Sequence, residues 1–349
     1  MKKICIIGHF GFGQNLLNGQ TIKTKIVTSE IEKKFGNDNI VLLDLAGGIK
    51  KIPELLCKIP QMLRKCDDVV IMPVENGLRF LTPVLGFWNR FFKKKLHYVV
   101  IGGWLPEFLS DKNMLISGLK NFCGIYVETN TMKQALHKLG LRNLFVMPNC
   151  KKLTVLSEDE LVYPQGAPYK LCTFSRVMKE KGIEDAVQAV IKVNADLGYQ
   201  AFSLDIYGQI DSEQTDWFEN LQKKFPAYIR YGGVVPFDKS VEMLKEYFAL
   251  LFPTYYEGEG FAGTLIDAFS AGIPVIASDW RYNAEIVNEN VGYVYKTGAQ
   301  SEFVELLKLA AANPAMLVNM KKNCLHEAEK YKIDAAVKVL LNQIEGGCR

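Results

Sequence analysis

The stretch Phe252-Pro-Thr-Tyr-Tyr-Glu-Gly-Glu-Gly-Phe-Ala-Gly-Thr-Leu-Ile-Asp-Ala-Phe269 joins a short apolar strand to a helix through a loop of small residues. The strand is predicted over 249–253, and the helix begins at about Thr264. The next residues, Ala271-Gly-Ile-Pro-Val-Ile-Ala-Ser278, predict another buried strand over 274–277. A strand, a crossover helix and a second strand form the repeating unit of a parallel sheet.

The same alternation of strand and helix extends through both halves of the chain. In the first half, strands are predicted near 3–8, 39–44, 67–73, 97–102, 123–128 and 143–148, and helices near 20–35, 52–65, 77–92, 112–120 and 130–139. In the second half, strands are predicted near 170–175, 203–208, 229–233, 249–253, 274–277 and 292–295, and helices near 182–198, 213–224, 238–247, 263–271, 282–288, 301–312 and 316–346. The stretch 163–168 contains Pro and Gly without periodicity and is predicted to be a linker. The fold class is therefore α/β, with two doubly wound, Rossmann-like parallel-sheet domains facing each other across a cleft.

Composition excludes several classes of protein. With 349 residues, of which 48% are hydrophobic and 23% charged, the chain can form two packed cores and cannot be a disordered polyelectrolyte. Residues 1–167 contain 23 Lys and Arg against 14 Asp and Glu (+9), whereas 168–349 contain 19 against 24 (−5). A basic half suits a polyanion, an anionic membrane surface or a phosphorylated ligand. The cysteines form no C-x-x-C pair, so neither a zinc site nor a disulfide framework is indicated. No apolar run reaches the roughly 18 residues of a membrane span. We therefore expect a cytoplasmic protein.

The helix that begins near Thr264 predicts an anion site. The amides of Gly263, Thr264 and Leu265 lie in its first turn, where N–H groups have no partner inside the helix. Glu259 and Asp267 flank this turn, and carboxylates accept hydrogen bonds from the hydroxyls of a sugar or a ribose. A ligand with a phosphate between two such polyols, a sugar and a ribose, is a sugar nucleotide. Alternatively, Asp267 serves only the helix, because Thr264-x-x-Asp267 has the spacing of a capping box.

A second loop, Phe174-Ser-Arg-Val-Met-Lys-Glu-Lys-Gly182, follows the predicted strand 170–175. Arg176 and Lys181 lie five residues apart around this turn, where both can reach a diphosphate and stabilise the charge that grows on a leaving group. An isolated pair of cations could equally be a solvated surface feature.

These two stretches resemble the donor-site motifs of the retaining glycosyltransferases of family 4, the glycosyl transferases group 1 of bacterial surface-polysaccharide type. Two acids in that family lie eight positions apart across a Gly-rich loop, as Glu259 and Asp267 do here, although the family usually has Glu at the second position. The resemblance implies that Arg176 and Lys181 hold the diphosphate, that Glu259 holds the donor sugar and that Asp267 binds the ribose. The implied donor contacts also include the backbone of Gly260, Phe261, Ala262, Gly263, Thr264 and Leu265.

The resemblance covers about 170–290 and implies the GT-B architecture. The first domain, 1–160, would then bind the acceptor, and the second, 161–330, would bind the nucleotide-sugar. The last residues, 331–349, would form a helix that crosses back to the first domain.

The first half resembles the family more loosely. Its first strand opens into Gly8-His-Phe-Gly-Phe-Gly-Gln-Asn15, and a helix starts at Gly19-Gln20-Thr21, where the family's loop meets the donor phosphates and the acceptor. A nicotinamide dehydrogenase is disfavoured, because this loop lacks the third Gly of the dinucleotide fingerprint and, apart from Asp44, no acid ends the second strand in the expected way.

The chain departs from the family where many members place a histidine after the fourth strand, because it has Ile101-Gly-Gly-Trp104 there. His97 lies before that position, and only His9 lies in a predicted ligand loop. A front-face mechanism, in which the departing phosphate oxygen helps to deprotonate the acceptor hydroxyl, requires mainly positioning and electrostatic support. We expect no metal and no cofactor, because Arg, Lys and helix amides supply the positive field.

The segment Phe87-Trp-Asn-Arg-Phe-Phe-Lys-Lys-Lys95 combines aromatic and basic residues. This composition suits a peripheral contact with anionic lipid, and it equally suits a helix with buried aromatics followed by a solvated turn. No motif for nucleic-acid binding accompanies the cluster.

The sequence therefore predicts an enzyme that moves a hexosyl unit from a nucleoside-diphosphate sugar to a hydroxyl with retained configuration. The family resemblance implies that this donor is UDP-linked. The implied acceptor is a glycan or lipid-linked glycan in capsule, exopolysaccharide or O-antigen synthesis, which would bring the protein to the inner face of the membrane. Two alternatives stay open: a sugar-nucleotide epimerase or hydrolase of related fold, and a degenerate, non-enzymatic scaffold.

Overall fold

The computed structural model describes residues 2–13, 19–47, 51–152 and 154–346. The chain divides into two compact units. Unit 1 contains Met1–Lys152 and Ile333–Arg349, and unit 2 contains Leu153–Lys332. Each unit has its own parallel sheet and its own hydrophobic core.

Unit 1 is a six-stranded sheet with helices between the strands. Its elements are β1 (Ile4–Gly8), α1 (Gly19–Phe35), β2 (Ile40–Asp44), α2 (Ile52–Lys65), β3 (Asp68–Met72), α3 (Glu75–Phe92), β4 (Lys95–Val99), α4 (Leu105–Leu109), α5 (Asn113–Leu119), β5 (Gly124–Val127), α6 (Asn130–Lys138), β6 (Leu144–Val146) and the C-terminal α15 (Ile333–Gly346). The strand order is β2-β1-β3-β4-β5-β6, and every pair is parallel. All five residues of β1 are buried, as expected for a strand covered on both faces.

Unit 2 repeats this architecture. Its elements are β7 (Tyr169–Phe174), α7 (Ile183–Leu197), β8 (Phe202–Tyr207), α8 (Thr215–Gln222), β9 (Ile229–Gly233), α9 (Ser240–Leu244), β10 (Ala249–Phe252), α10 (Gly263–Ser270), β11 (Val275–Ser278), α11 (Asn283–Ile286), β12 (Gly292–Tyr295), α12 (Gln300–Ala312), α13 (Ala315–Val318) and α14 (Lys321–Glu329). The order is β12-β11-β10-β7-β8-β9, again parallel throughout.

Both sheets contain a point where the strand order reverses. This point lies between β1 and β3 in unit 1 and between β7 and β10 in unit 2. Ligands of open parallel sheets bind outside the carboxyl ends of the strands at such a point, because the loops on its two sides diverge to opposite faces and leave a crevice. The segments that follow these strands are therefore the candidate ligand-binding loops.

Each of the twelve predicted strands is present, so the α/β prediction with two parallel sheets is confirmed. The structure adds α4, whose first turn contains Pro106 and Glu107, both typical of a helix start. The single helix predicted over 316–346 is instead three helices, α13, α14 and α15. The break before α15 coincides with the passage of the chain from unit 2 to unit 1, where the set of packing partners changes.

The unit boundaries differ from the expected domain limits. Residues 154–160 belong to unit 2, because the Leu156 N–H donates to the Ser270 carbonyl at 3.0 Å and the Leu156 side chain is buried. The stretch 163–168 thus lies within unit 2 and not between the units. Helix α15 packs in the core of unit 1, where Val337 and Leu340 join Val27 of α1.

Among the described residues no helix is both long enough and apolar enough to cross a bilayer. The cysteines that are free thiols are Cys5, Cys57, Cys66, Cys150, Cys172 and Cys324. Cys123 is disulfide-bonded.

Candidate active site

The residues that follow β7 and β10 form the candidate site of unit 2. Lys181 Nζ and Glu259 Oε2 lie 2.5 Å apart, and the two side chains are only 10% and 8% exposed. The Thr254 hydroxyl donates to the same carboxylate oxygen at 2.9 Å. A buried ion pair contributes little net stability, because desolvation offsets the attraction between the charges. Its position at the ligand-binding edge of the sheet therefore indicates a functional role.

A glycine permits the close approach of these two loops. Gly182, which follows Lys181, has a φ of 68°, and a Cβ placed on it would lie 2.2 Å from the Pro253 carbonyl oxygen. Only a residue without a side chain fits both this left-handed backbone and this contact. The Tyr255 N–H also donates to the Glu180 carbonyl at 2.8 Å. Backbone packing thus holds Lys181 beside Glu259.

Arg176 lies at the open side of the same cluster. Its side chain is 49% exposed, and its Nη1 is 3.4 Å from Asp211 Oδ2. The guanidinium carbon is 5.8 Å from the centroid of the Tyr256 ring, and Lys181 Nζ is 4.8 Å from the same centroid. The two predicted cations therefore share one aromatic neighbour, with Arg176 free to reorient because it is exposed.

The start of α10 lies against the end of β7. The Thr264 hydroxyl donates to the Phe174 carbonyl, which fixes the first turn of the helix beside the loop that carries Arg176. The N–H groups of Gly263 and Thr264 are the first two of the helix and have no carbonyl four residues earlier within it. The sequence analysis predicts that the Leu265 N–H is also unpaired. This prediction is wrong, because the Leu265 N–H donates to the Ala262 carbonyl at 3.1 Å.

The remaining loop residues are more enclosed. Gly260 and Phe261 are buried, and the Phe261 ring packs edge-on against Tyr331 with 4.7 Å between centroids. Ala262, Gly263 and Thr264 are half-buried. The amides at the helix start, and not the Phe261 side chain, are thus the groups nearest the surface of this loop.

Asp267 is placed differently from the other predicted residues. Its side chain is buried, at 1% exposure, and Oδ1 accepts a hydrogen bond from the Ser240 hydroxyl of α9 at 3.0 Å. The carboxylate therefore links α10 to α9, and its contact with a ribose stays a prediction. The structure brings together Arg176, Lys181, Glu259 and the helix start.

In unit 1, Asp44 organises the loop after β1. Oδ1 accepts the N–H groups of Phe10 (2.9 Å), Gly11 (3.3 Å) and Ala46 (2.9 Å), and Oδ2 accepts that of Phe12 (3.1 Å). Burial alone would raise the pKa of Asp44, but these amide hydrogen bonds outweigh burial and lower the pKa below 3.8. An acid engaged by its own loop is not positioned as the ribose ligand of a dinucleotide site.

The residues predicted at the start of α1 lie near a cavity. Gly19 is exposed and Gln20 is half-buried, while His9 Nδ1 is 3.0 Å from the Thr21 hydroxyl. A cavity of about 280 Å³ lies at the carboxyl ends of β1, β2 and β3. Its described lining is mainly apolar, and it comprises His9, Gln20, Leu45, Gly47, Ile52, Leu55, Pro73, Val74, Asn76, Gly77 and Phe80. Gln14 and Asn15 lie outside the described residues.

The position that holds a histidine in many family members is structural here. The Trp104 indole N–H donates to the Ile101 carbonyl at 2.8 Å, and its ring packs edge-on against Phe108. His97 is fully buried in the middle of β4, between Asp68 and Tyr126. Neither residue lies among the loops that follow β1 or β7.

The sequence analysis assigns no role to Thr254 or Gly182, and it considers Asp44 only as a ribose-binding acid. Their positions in the sequence were a signal for each of them. Thr254 directly follows the predicted strand 249–253, Asp44 ends the predicted strand 39–44, and Gly182 ends the loop after the predicted strand 170–175. Their partners are distant in sequence, however, and the sequence does not show which loops meet. Within the described ranges, no group of three or more His, Cys, Asp or Glu has a metal-binding arrangement.

The chain is similar to proteins of known class. Residues 163–331 match the family model described as glycosyl transferases group 1. The GtfA subunit of a UDP-N-acetylglucosamine–peptide N-acetylglucosaminyltransferase from Streptococcus gordonii is 25% identical over 295 residues, which cover 80% of this chain and 55% of that protein. An alpha-galactosylglucosyldiacylglycerol synthase from Streptococcus pneumoniae is 22% identical over 293 residues, covering 81% of this chain and 71% of that protein. The chain thus spans about half the length of the GtfA subunit.

Solved structures share the fold. HepE from Anabaena, in complex with UDP, superposes with a TM-score of 0.77 at 14% identity, covering 99% of this chain and 100% of HepE. The apo form of the lipopolysaccharide outer core galactosyltransferase WaaB gives a TM-score of 0.70 at 16% identity, covering 99% of each chain. At these identities the likeness establishes the fold alone. The chain therefore has the GT-B fold, and its residues 163–331 are similar to the glycosyl transferases group 1.

Proposed function

We propose that the chain transfers a hexosyl unit from a UDP-sugar to the hydroxyl of a glycan or lipid-linked acceptor, with retention of the anomeric configuration. The observation that carries this proposal is the buried pair of Lys181 and Glu259 at the switch point of unit 2, next to the start of α10. Cations, an acid and helix amides in one place fit a pyrophosphate that is esterified to a sugar.

The cations would stabilise the leaving group. An ammonium carries three donor hydrogens, so Lys181 can keep its bond to Glu259 and donate to a phosphate oxygen as well. The exposed Arg176 guanidinium can form two parallel bonds to phosphate oxygens. Both interactions strengthen as negative charge accumulates on the departing diphosphate, which is the requirement for catalysis by electrostatic stabilisation.

The acid and the amides would orient the donor. Glu259 would accept hydroxyls of the transferred sugar, held in place by the Thr254 hydroxyl and by Lys181. The N–H groups at Gly263 and Thr264 would face a phosphate oxygen, where the helix dipole favours negative charge. Asp267 would reach the ribose only through a shift of its side chain away from Ser240.

The reaction would proceed by a front-face route without a metal. The departing phosphate oxygen would take the proton of the acceptor hydroxyl, so no protein base is needed and the fixed positive groups replace a metal. We expect full activity in a chelator. Activity that is lost in EDTA and restored by Mg²⁺ would contradict the metal-free part of the proposal.

The acceptor would bind to unit 1 and contain an apolar part. The 280 Å³ cavity combines an apolar lining that includes Leu55, Val74 and Phe80 with the polar groups of His9 and Gln20. Such a lining suits the lipid or isoprenoid end of a lipid-linked glycan, with hydroxyls at the polar rim. One relative is named for the synthesis of a glycolipid. A role in capsule, exopolysaccharide or O-antigen assembly at the inner face of the membrane follows from such an acceptor.

The test is a transfer assay with each common UDP-hexose and an alkyl or lipid-linked glycoside as acceptor. We expect one donor to give a product whose new linkage, by NMR, has the anomeric configuration of the donor. Glu259→Gln and Lys181→Met should abolish transfer. Lys179→Met is the matched control, because this exposed lysine lies two residues from Lys181 and its ammonium lies over the Trp217 ring.

Other products would identify the alternatives. An inverted linkage would contradict the retaining mechanism. A 2-epimer or free sugar formed without any acceptor would indicate an epimerase or hydrolase. Absence of both UDP-sugar binding and turnover would leave the scaffold interpretation.

A further inference from the structure

A groove of about 1160 Å³ on unit 1 is lined mainly by residues of α3 and α5. Its lining includes small residues, namely Pro83 and Gly86 of α3 and Ser117 and Gly118 of α5. The helices touch closely, because a Cβ on Gly118 would lie 2.6 Å from a methyl carbon of Thr82. We call this feature the α3–α5 groove. No step of the proposed transfer uses it.

Large apolar side chains stand exposed around this groove. Phe87 is 53% exposed, Phe91 is 68% exposed and Met114 is 90% exposed. Phe87 and Phe91 are four residues apart and therefore lie on the same face of α3, with 5.8 Å between their ring centroids. Clustered exposure of such side chains marks a surface that meets an apolar phase.

The charges of the same surface are mainly positive. The groove lining contains Arg79, Arg90 and Lys112 against the single acid Asp111. That acid is already neutralised, because Lys112 Nζ lies 2.5 Å from its Oδ1. Two cations are thus left for an anionic ligand, beside the exposed aromatic rings.

The lysines of the segment 87–95 contribute less than the sequence suggests. Lys93 is exposed, but Lys94 and Lys95 are half-buried. The Asn89 side chain holds the Lys94 backbone, accepting its N–H at 2.6 Å and donating to its carbonyl at 2.8 Å. All three lysines line a pocket that also contains Lys2 and Asp67, and none of them lines the α3–α5 groove. Of the basic residues in 87–95, Arg90 is therefore the one that lines the α3–α5 groove.

We propose that the α3–α5 groove docks the protein onto a surface of anionic phospholipid. Phe87, Phe91 and Met114 would enter the interface between headgroups and acyl chains, and Arg90 and Arg79 would meet the phosphates. Charge complementarity supports this occupant: an aromatic rim with unbalanced cations matches a surface that is apolar below and negative above. The net charge of +9 on residues 1–167 adds long-range attraction of the same sign.

The test is flotation of the full chain with vesicles, without donor or acceptor, so that its outcome is independent of the proposed transferase activity. The vesicles contain either phosphatidylcholine alone or phosphatidylcholine mixed with phosphatidylglycerol. We expect binding only to the mixture and weaker binding as salt is added. We expect Phe87→Ala with Phe91→Ala to lower partitioning by roughly tenfold or more. Arg90→Glu should lower it by at least about fivefold, the effect of one basic residue near an anionic surface.

Matched controls lie on unit 2. Tyr199 is 51% exposed, and Lys223 is exposed, so Tyr199→Ala and Lys223→Glu make the same kinds of change away from the groove. These variants should float like the parent protein, and circular dichroism should show all variants folded. Equal flotation of the groove variants and the parent, or no flotation of the parent on anionic vesicles, would overturn the proposal. A dimer that the double Phe variant disrupts, without any vesicle binding, would assign the face to a second copy of the chain.

Discussion

Glu259 receives two hydrogen bonds at one oxygen, from the Lys181 ammonium and from the Thr254 hydroxyl. The sequence predicts Lys181 and Glu259 individually, because each lies in a short motif directly after a predicted strand. It does not predict their contact, since the two residues are 78 positions apart. Contacts of this kind depend on which loops the sheet order brings together, and no local pattern encodes the strand order.

Gly182 offers a direct test of how the loops are held. We expect Gly182→Ala to destabilise unit 2 by clearly more than Gly198→Ala, and to weaken nucleotide binding, because the new Cβ pushes the Pro253 backbone away. Gly198 is a matched control: it ends α7 with a φ of 72°, against 68° for Gly182, but a Cβ there would contact nothing within 4 Å. Its substitution should cost about 1 kcal/mol, the ordinary penalty of a left-handed Ala. Urea unfolding measures both variants, and equal losses would contradict a close approach at Gly182.

Asp44 makes the stability of unit 1 depend on pH. Amide hydrogen bonds lower the pKa of Asp44 in the folded chain below its ordinary 3.8, so its stabilising effect is complete above that value and is lost as pH falls through the lower, folded pKa. Asp44→Asn removes the carboxylate and places an amide NH₂ among the N–H donors. We expect a loss of roughly 1–3 kcal/mol near pH 7.

The difference between parent and Asp44→Asn should shrink as the pH is lowered below about 4, where the parent itself becomes protonated. Urea titrations at a series of pH values measure this difference. A difference that stays constant down to acid pH would show that the loop amides do not stabilise the charged form.

At the scale of single elements, the sequence predicts position better than function. The start of α10 lies at Gly263, as its Gly-rich loop suggests, but Leu265 and Asp267 have protein partners that sequence alone does not show. The capping-box spacing of Thr264 and Asp267 is also misleading, because Thr264 bonds to β7 and Asp267 to α9. Periodicity indicates where a helix lies, whereas the partners of its polar residues depend on the neighbouring elements.

Strands β3, β4 and β5 are linked by a buried polar chain. With Nε2–H of His97 donating to Asp68 at 3.1 Å, its Nδ1 accepts the Tyr126 hydroxyl at 2.9 Å. We expect Tyr126→Phe to leave Nδ1 unpaired and to cost about 1–3 kcal/mol. Tyr98→Phe is the control, because this equally buried hydroxyl reaches the Pro73 carbonyl only at 3.4 Å. Calorimetric unfolding compares the two, and a greater loss for Tyr98→Phe would refute the role of the chain.

At the scale of the whole molecule, the two sheets follow from the alternation of twelve predicted strands with helices. The boundaries of the two units do not follow from this alternation. They depend on buried contacts such as that of Leu156, which joins residues 154–160 to unit 2. The difference in charge between the halves is visible in composition. The placement of the basic groups is not visible in composition, since Lys93, Lys94 and Lys95 line a separate pocket and not the α3–α5 groove.

A ligand that binds only the folded chain must stabilise it. We expect UDP to raise the melting temperature, with a gain in the free energy of unfolding of about 2.7 kcal/mol at one hundred times Kd. A thermal-shift series with UDP, GDP and ADP measures the choice of base. A larger shift with GDP or ADP than with UDP would correct the proposed nucleotide while leaving the fold assignment unchanged.

The central claim is that Lys181 and Arg176 bind a diphosphate, and calorimetric titration with UDP and UMP tests it most directly. We expect UDP to bind more tightly than UMP, and Lys181→Met and Arg176→Met each to weaken UDP by about tenfold or more, the usual effect of losing a charge-assisted hydrogen bond. Lys179→Met should bind both nucleotides like the parent. Folded Lys181→Met and Arg176→Met proteins that retain the parent's UDP affinity and its preference over UMP would contradict the account.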